Sequence, residues 1–359
     1  MISFIKDIDR YTIFLENASI REAIKKMDAG GIGFITCIDD QNVVRGILTD
    51  GDFRRAILNE IPLDAKIEKI MNRNFYSVNK DYSDEQIKNM FNTTIVKHIP
   101  VIENGKLIDL ITEENYFHIK KVTGRDTLKC PVVIMAGGKG TRLDPFTRIL
   151  PKPLIPIGEK AMIEIIMDEY RKNGMNDFYI TVNHKSRMIK AFFEDRHEDD
   201  HSKIQFIDED KPLGTAGALR FLKNKINESF FVSNCDIIIH EDYSKIFDFH
   251  KKNSYDLTLV ASMKNYVIPY GVCEIENGGT LKEIKEKPEY DLLVNTGMYI
   301  IEPHTLEHIP AEELFHITDL IKILQQKKYK IGVFPISENS WTDTGEWAEY
   351  NNALTKLLK

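Results

Sequence analysis

Gly137-Gly-Lys-Gly-Thr-Arg-Leu-Asp-Pro-Phe-Thr-Arg-Ile-Leu-Pro-Lys-Pro153 follows directly on an apolar run, Pro131-Val-Val-Ile-Met-Ala136. A short uninterrupted run rich in branched side chains reads as a buried strand of a parallel sheet. Glycines at the end of such a strand let backbone N–H groups come close to phosphate oxygens, because no Cβ intervenes and positive φ is open to them. Two well-known phosphate loops are excluded by single positions. A P-loop needs Ser or Thr after Gly-Lys, where this chain has Gly140, and the dinucleotide fingerprint needs a third glycine where it has Leu143. The segment therefore reads as α/β, with ligand chemistry at the carboxyl end of its first strand.

The complete pattern, G-G-x-G-T-R-L-x-P-x-T-x-x-x-P-K-P, resembles that of the sugar-1-phosphate nucleotidyltransferase superfamily. The resemblance implies that Ala136, Gly137, Gly138, Gly140 and Thr141 line a nucleoside triphosphate. It gives Arg142 the leaving pyrophosphate and Lys152 the α-phosphate. A guanidinium suits the first task, since its planar fork donates to two phosphate oxygens at once, whereas an ammonium acts as a point charge.

Later motifs keep the order that the resemblance requires. Leu213-Gly-Thr-Ala-Gly-Ala218 is similar to the superfamily's base-binding loop, which assigns Leu213, Gly214, Thr215 and Gly217 to the nucleotide, small residues letting a base lie against backbone. Phe230-Phe-Val-Ser-Asn-Cys-Asp236 reads as a strand ending in a carboxylate at the edge where open α/β sheets bind ligands. Taken alone, Asp236 reads first as a helix N-cap ahead of the acidic stretch that follows. The resemblance makes it a metal ligand. Tyr270-Gly-Val-Cys-Glu-Ile275, Lys285-Glu-Lys-Pro288 and Val294-Asn-Thr-Gly-Met-Tyr299 resemble three sugar-facing elements. They imply that Lys287 holds the sugar phosphate and that Gly271, Glu286, Asn295 and Thr296 address the sugar. Trp341-Thr-Asp-Thr-Gly345 matches the second metal segment, with Asp343 opposite Asp236.

Two separated carboxylates suit Mg2+, a hard ion that takes oxygen ligands and keeps waters or substrate phosphates in its shell. One apparent zinc motif, His197-Glu-Asp-Asp-His201, satisfies H-E-x-x-H by letter. We reject it: both intervening positions are acidic and the flanks are polar, whereas a metalloprotease helix buries one face. It reads as a solvated helix end or loop.

The N-terminal third contains a repeat. Asn42-Val-Val-Arg-Gly-Ile-Leu-Thr-Asp-Gly-Asp-Phe53 matches Gly105-Lys-Leu-Ile-Asp-Leu-Ile-Thr-Glu-Glu-Asn-Tyr116, so Thr49 falls on Thr112, 112 − 49 = 63 residues on. Ile24 and Met27 fall on Ile87 and Met90 at that offset, and Ile32 falls on Ile95. In each unit the apolar spacing predicts a helix (Ile20, Ala23, Ile24, Met27), a strand (33–38), a second strand (43–48) and a second helix (51–58). The units resemble a tandem pair of CBS domains, including the closing G-x-x-T-x-x-D as Gly46, Thr49 and Asp52. The resemblance implies dimerisation and a regulatory adenine or guanine nucleotide at Thr49 and Asp52, a carboxylate accepting two hydrogen bonds from a ribose diol. Asn115 replaces Asp52 in the second repeat, so at most one such site is expected. The plainer reading makes Asp52 a solvated helix start in an assembly module.

Composition agrees with two or more ordinary cores. The 359 residues are 42% hydrophobic and 29% charged, which excludes a disordered or disulfide-stapled chain. A net charge of −7 gives no overall positive field for nucleic acid or anionic lipid. Charges reach into the first ten residues, no apolar run is long enough to span a membrane, and Cys37, Cys130, Cys235 and Cys273 form no C-x-x-C pair. We expect a cytoplasmic chain with buried free thiols. The expected architecture is α/β: an N-terminal tandem CBS module at 1–122 (repeats about 1–60 and 64–122), a linker at 123–130, and a Rossmann-like, mostly parallel mixed-sheet nucleotidyltransferase domain at 131–359. Strands are expected near 178–182, 204–207, 230–233 and 257–261, with a helix at 162–172. An amphipathic segment (Trp347, Tyr350, Leu354, Leu357) ends the chain, without a C-terminal β-helix.

The implied reaction is attack by a sugar 1-phosphate oxygen on the α-phosphorus of a nucleoside triphosphate. The attacking phosphate is anionic near neutral pH, so the protein supplies alignment and charge neutralisation rather than a base. A CBS pair ahead of a short transferase domain resembles the glucosamine-1-phosphate guanylyltransferases of bacterial legionaminic acid synthesis, which implies GTP and glucosamine 1-phosphate. The same residues suit a dTTP- or UTP-dependent glucose-1-phosphate nucleotidyltransferase. An alternative of another class is a non-catalytic nucleotide sensor read out through the CBS pair.

Overall fold

The 63-residue repeat folds as two copies of one unit in the computed structural model, whose described residues are 8–16, 18–94, 96–113, 116, 128–194 and 202–357. In the first copy β1 (Thr12–Phe14) leads to the helix Ile20–Gly30, then β2 (Phe34–Ile38), β3 (Val44–Thr49) and the helix Asp50–Leu58. Ser19 starts the first helix with a reciprocal cap: its amide donates to Glu22 Oε2 at 2.8 Å and its Oγ accepts from the Glu22 amide at 3.2 Å. Ile20, Ala23 and Met27 face the core with all of β2, as the 3.6 and 2.0 periods require.

The second copy repeats this plan. The helix Asp84–Thr93, β4 (His98–Glu103) and β5 (Lys106–Thr112) follow the offset, and the leading strand shrinks to one parallel bridge from Val78 to Val101. β1 pairs parallel with β2, β2 antiparallel with β3 and β4 antiparallel with β5. Tyr11, Phe34, Ile47 and Leu110 form a small core that joins the copies. Ile95 and Asn115 lie outside the described residues.

Two compact units divide the chain, Met1–Arg125 and Asp126–Lys359. The end of the expected linker already belongs to the second: the Leu128 amide donates to Asn173 O at 3.2 Å and Cys130 is 4% exposed. The second unit is built on seven strands in the order β10-β9-β6-β11-β16-β13-β17. These are β6 (Val132–Met135), β9 (Asp177–Val182), β10 (Lys203–Asp208), β11 (Phe230–Asn234), β13 (Leu257–Val267), β16 (Glu289–Ile301) and β17 (Ile331–Ile336). Short pieces, β7 (Pro156–Ile157) with β8 (Lys160–Ala161), β12 (Ile237–Ile239) with β18 (Trp341–Asp343), and β14 (Val272–Ile275) with β15 (Leu281–Lys285), pair outside the main sheet.

Only β16 runs antiparallel to its neighbours, so the sheet is mixed but mostly parallel. Its two faces are both covered: Val132 and Ile134 point into one core, Val133 and Met135 into the other. The helix Met162–Lys172 spans the range its pattern predicts. The chain winds from β6 out to β10 and returns to β11, so the gap between the ends of β6 and β11 is the crevice where such sheets bind ligands.

Two expectations need correction. Cys273 is exposed, unlike the other three cysteines. β13 continues to Val267 rather than ending near 261, because it pairs with β16 well beyond the core. At the other end, the helix Trp347–Leu357 packs through Tyr350, which is 5% exposed, and no helix among the described residues is long and apolar enough to cross a membrane.

Candidate active site

The loop after β6 begins with Ala136, whose amide donates to Thr181 O at 3.0 Å across the sheet. Gly138 has open space where a side chain would stand, and Gly140 turns the chain back over Lys152. Thr141–Leu143 then make one 3-10 turn anchored by fully buried Leu143. Arg142 points outward. Its Nη1 donates to Glu346 at 3.0 Å, with both side chains more than half exposed, so the contact is a weak, exchangeable one.

Pro151 and Pro153 hold Lys152 in a tight turn, leaving it 7% exposed. Its ammonium donates to Asp236 Oδ2. Asp236 is 8% exposed and sits between β11 and β12, so it caps no helix; Asp242 caps Tyr243–Lys252, accepting from the Ser244 amide at 3.2 Å. The antiparallel pairing of β12 with β18 puts Ile237 opposite Asp343, which brings the second carboxylate alongside the first. Thr344 locks the arrangement by donating its amide (2.8 Å) and its hydroxyl (2.7 Å) to Asp236 O.

Gly345 is the hub of this group. A Cβ there would lie 2.7 Å from Asp236 Oδ2, 2.9 Å from Asp343 Oδ1 and 3.3 Å from Lys152 Nζ, so the three charged groups converge on the space glycine leaves. Burial raises the Asp343 carboxyl above its ordinary range, against the Gly345 amide bound to it; the neighbouring Asp236 charge raises it further and Lys152 and Arg142 oppose. An oxygen-only donor pair fits a hard ion that completes its shell with water or phosphate oxygens. Among the described residues no group of three or more His, Cys, Asp or Glu is arranged to hold a metal.

The loop at Leu213 to Gly217 has a different reason for its small residues. The Ala216 and Gly217 amides donate to Phe315 O at 3.0 and 3.1 Å, the Phe315 amide returns a bond to Leu213 O at 2.9 Å, and Thr215 Oγ1 accepts from the Ile317 amide at 3.0 Å. Gly214, at φ 80°, would drive a Cβ to 2.6 Å from Phe315 O. Close packing against residues 313–316 accounts for Gly214 and Gly217 without a ligand.

Glu209 was not anticipated. It is 7% exposed, its Oε1 lies against Gly137 and its Oε2 accepts from the Leu213 amide at 3.2 Å. One carboxylate thus bridges the phosphate loop and the Leu213 loop. Burial raises its carboxyl above the ordinary range, with the Leu213 amide and the Thr181 hydroxyl opposing. The signal was available, since Glu209 directly follows β10 at the carboxyl edge of the sheet.

The expected sugar elements lie along β16 and beyond it. Asn295 donates to Tyr299 Oη at 2.6 Å and accepts from the Gly297 amide at 3.1 Å. The register between β13 and β16 breaks here, and Gly297 takes φ 89°, so the Asn-Thr-Gly segment is a bulge, a device that re-aims side chains. Thr296 is 2% exposed and its hydroxyl donates to Val260 O at 2.8 Å. Gly271 and Glu286 are neighbours at the foot of the β14–β15 ribbon, followed by exposed Lys287 at φ 45°.

In the first unit, Asp52 is neither solvated nor free. It is 6% exposed, accepts from the Thr49 amide (2.9 Å) and hydroxyl (2.7 Å), and pairs with Arg55. The 197–201 segment lies outside the described residues.

Comparison with known proteins agrees with this division. A nucleotidyl transferase family model matches residues 131–359, and a CBS domain model matches 5–59 and 67–119. The mannose-1-phosphate guanyltransferase of Saccharomyces cerevisiae is 30% identical over 233 residues, 63% of this chain and 64% of the yeast protein. A UTP–glucose-1-phosphate uridylyltransferase of Synechocystis is 28% identical over 246 residues, 63% of each chain. The match thus spans somewhat under two thirds of the length of these relatives. Among solved structures, HddC from Yersinia pseudotuberculosis is similar at a TM-score of 0.51 and 27% identity, covering 64% of this chain and 99% of that one. The same protein complexed with GMP-PN gives a TM-score of 0.50 at 26% identity over the same shares.

Proposed function

This chain belongs to the nucleotidyl transferase family, and on that footing we propose that it joins a nucleoside triphosphate to a sugar 1-phosphate, releasing pyrophosphate. The observation that carries the reading is the convergence of Lys152, Asp236 and Asp343 on Gly345. It supplies one cation and two carboxylates at the sheet edge where a triphosphate can approach the open side of Gly138.

A sugar-phosphate oxygen attacks the α-phosphorus, the bond to the bridging β-oxygen breaks, and pyrophosphate leaves with the electron pair. No proton transfer is needed at the attacking oxygen. Lys152, exchanged from Asp236, meets charge on the α-phosphoryl oxygens, and Arg142, exchanged from Glu346, meets the departing pyrophosphate. Lys287 holds the sugar phosphate. Asp236 and Asp343 would hold Mg2+, which when bound offsets the charge of the triphosphate.

GTP with glucosamine 1-phosphate, forming GDP-glucosamine, is the favoured pair. Glu209 supports the guanine part, since a carboxylate matches the adjacent N1–H and N2–H donors of guanine, while uracil and thymine present one N–H between two carbonyls. The guanyltransferases among the relatives point the same way. The uridylyltransferase relative keeps UTP with glucose 1-phosphate as the second reading.

Pyrophosphate release, measured with magnesium across five nucleoside triphosphates and the 1-phosphates of glucosamine, N-acetylglucosamine, glucose and mannose, tests both levels. We expect the maximum at GTP with glucosamine 1-phosphate. A maximum at UTP or dTTP with glucose 1-phosphate would retain the reaction and discard the substrate pair, and a blank grid would favour the sensor.

A further inference from the structure

The apolar stripe at the end of the sequence, Trp347, Tyr350, Leu354 and Leu357, has no part in the reaction so far, yet its first member does more than pack on the core. The helix Trp347–Leu357 starts two residues after Gly345, and the Tyr350 amide donates to Glu346 O at 2.8 Å. Trp347 stands partly buried and reaches across to the phosphate loop. Its Nε1 donates to Asp144 O at 2.7 Å, and its ring centre lies 5.0 Å from that of Phe146. Tyr350 meets the Phe146 ring edge-on at 6.4 Å.

The turn that receives these contacts is the one that presents Arg142. Leu143 and Thr147 are buried, but Phe146 is 43% and Ile149 75% exposed, so core burial grips the turn at few points. The Asp144 carboxylate is engaged locally, accepting from Thr147 Oγ1 at 3.4 Å and from Arg148 Nε at 3.0 Å. Lys185 Nζ holds one side of the turn through Thr147 O at 2.7 Å. Trp347 and Glu346 hold the other, the indole on the backbone at Asp144 and the carboxylate on Arg142 Nη1 at 3.0 Å. One short segment, 343–347, thus serves both halves of the site: Asp343 and Gly345 stand with Asp236 and Lys152, while Glu346 and Trp347 stand on the phosphate loop.

We infer, on the reading that Arg142 meets the leaving pyrophosphate, that Trp347 is a positioning residue for Arg142 and that Glu346 competes with pyrophosphate for the same guanidinium. An indole N–H on a carbonyl, joined to ring packing, fixes both the height and the direction of the turn. A group that stabilises developing charge loses on the order of 100-fold in rate when displaced by about 1 Å. Glu346 acts more gently, because an exposed ion pair contributes little and exchanges easily. It keeps the guanidinium in place between turnovers without blocking it.

Turnover of the full-length protein, with magnesium and the substrate pair that releases most pyrophosphate, tests the positioning role. Trp347→Ala should lower kcat by about 30-fold while the nucleotide KM changes less than about threefold. Trp347→Phe keeps the ring contact, loses the bond to Asp144 O, and should lower kcat by about fivefold. In an Arg142→Ala background Trp347→Ala should cost less than about threefold, since nothing is left for the indole to position. Equal losses in the two backgrounds, or wild-type kcat in Trp347→Ala, would overturn the role. Trp347→Phe gives the same comparison if the alanine variant does not fold. Calorimetric titration with magnesium pyrophosphate tests the competition: Glu346→Gln should bind it up to about fivefold more tightly than wild type, and unchanged affinity would overturn that part. If Arg142→Ala binds pyrophosphate as tightly as wild type, the assignment of Arg142 to pyrophosphate itself fails, a result distinct from failure of Trp347 or Glu346.

Discussion

Gly345 carries more consequence than any charged residue near it, because it has no side chain to trim and three to displace. A methyl group there meets two buried carboxylate oxygens at under 3 Å. We expect Gly345→Ala to lower turnover about 100-fold, ~2.7 kcal/mol of lost transition-state stabilisation, with a melting temperature close to wild type. Arg142→Ala and Asp236→Asn should retain less than about a tenth of activity, the first losing the cation proposed for the leaving pyrophosphate and the second a carboxylate proposed to hold Mg2+. Steady-state pyrophosphate release checks all three. Glu209 gives a prediction about stability. Its folded pKa is raised, so between the ordinary carboxylate value of 4.5 and that raised value the folded chain holds more protons than the unfolded one, and stability falls as pH rises. Glu209→Gln should therefore unfold at higher urea than wild type at pH 7, the gain shrinking toward pH 4.5. Lys152, Asp236 and Asp343 were legible because their motifs fix position and order. Glu209 was missed because no motif marks it, although its place directly after β10 at the carboxyl edge of the sheet was a signal. Asp52 starts its helix as the plainer reading had it, but buried rather than solvated, which the motif does not reveal.

Elements were read best where a period had room to repeat. The helix at Met162–Lys172 followed from its pattern, and the 63-residue repeat from the match of two segments that puts Thr49 on Thr112. The β14–β15 ribbon and the outer half of β16 gave no such signal, because their large apolar residues face solvent and break the rule that apolar positions mark a core. The Leu213 loop shows how a correct boundary can carry an incomplete reason, small residues serving a chain crossing as well as any base. There Gly214→Ala should lose about 2–3 kcal/mol of stability, from strain at positive φ and a clash with a backbone carbonyl that cannot swing aside. Chemical denaturation measures it. Wild-type stability would mean that the 313–316 segment is free to retreat.

At the scale of the molecule, each unit has its own apolar cores, so the two are expected to melt as separate transitions. A ligand raises only the transition of the unit it binds, by about 2.7 kcal/mol at a hundredfold excess over its dissociation constant. Calorimetry with GTP and magnesium should shift the transition of the Asp126–Lys359 unit, and AMP or GTP should shift the other only if a nucleotide displaces Arg55 from Asp52. No shift in either unit with any nucleotide would remove both nucleotide sites. The two-unit plan was legible from the repeat and the phosphate loop together; the point at which the second unit starts was not, because Leu128 and Cys130 pack in ways a polar stretch conceals.

β16 can also be regarded mechanically. Its thirteen residues span roughly 40 Å, rooted at Ile301 in the middle of the sheet and running out to Glu289, with β13 as its companion over the outer half. That is a cantilever, and the bulge at Asn295 to Met298 sits at its root like a notch. Load applied at the ribbon bends the beam about that notch while the β6 and β11 ends stay still. Backbone amides along β16 should thus exchange with deuterium along a gradient, fastest near Glu289 and slowest near Ile301, which makes the Asn295 side of the crevice compliant and the β6 and β11 side stiff.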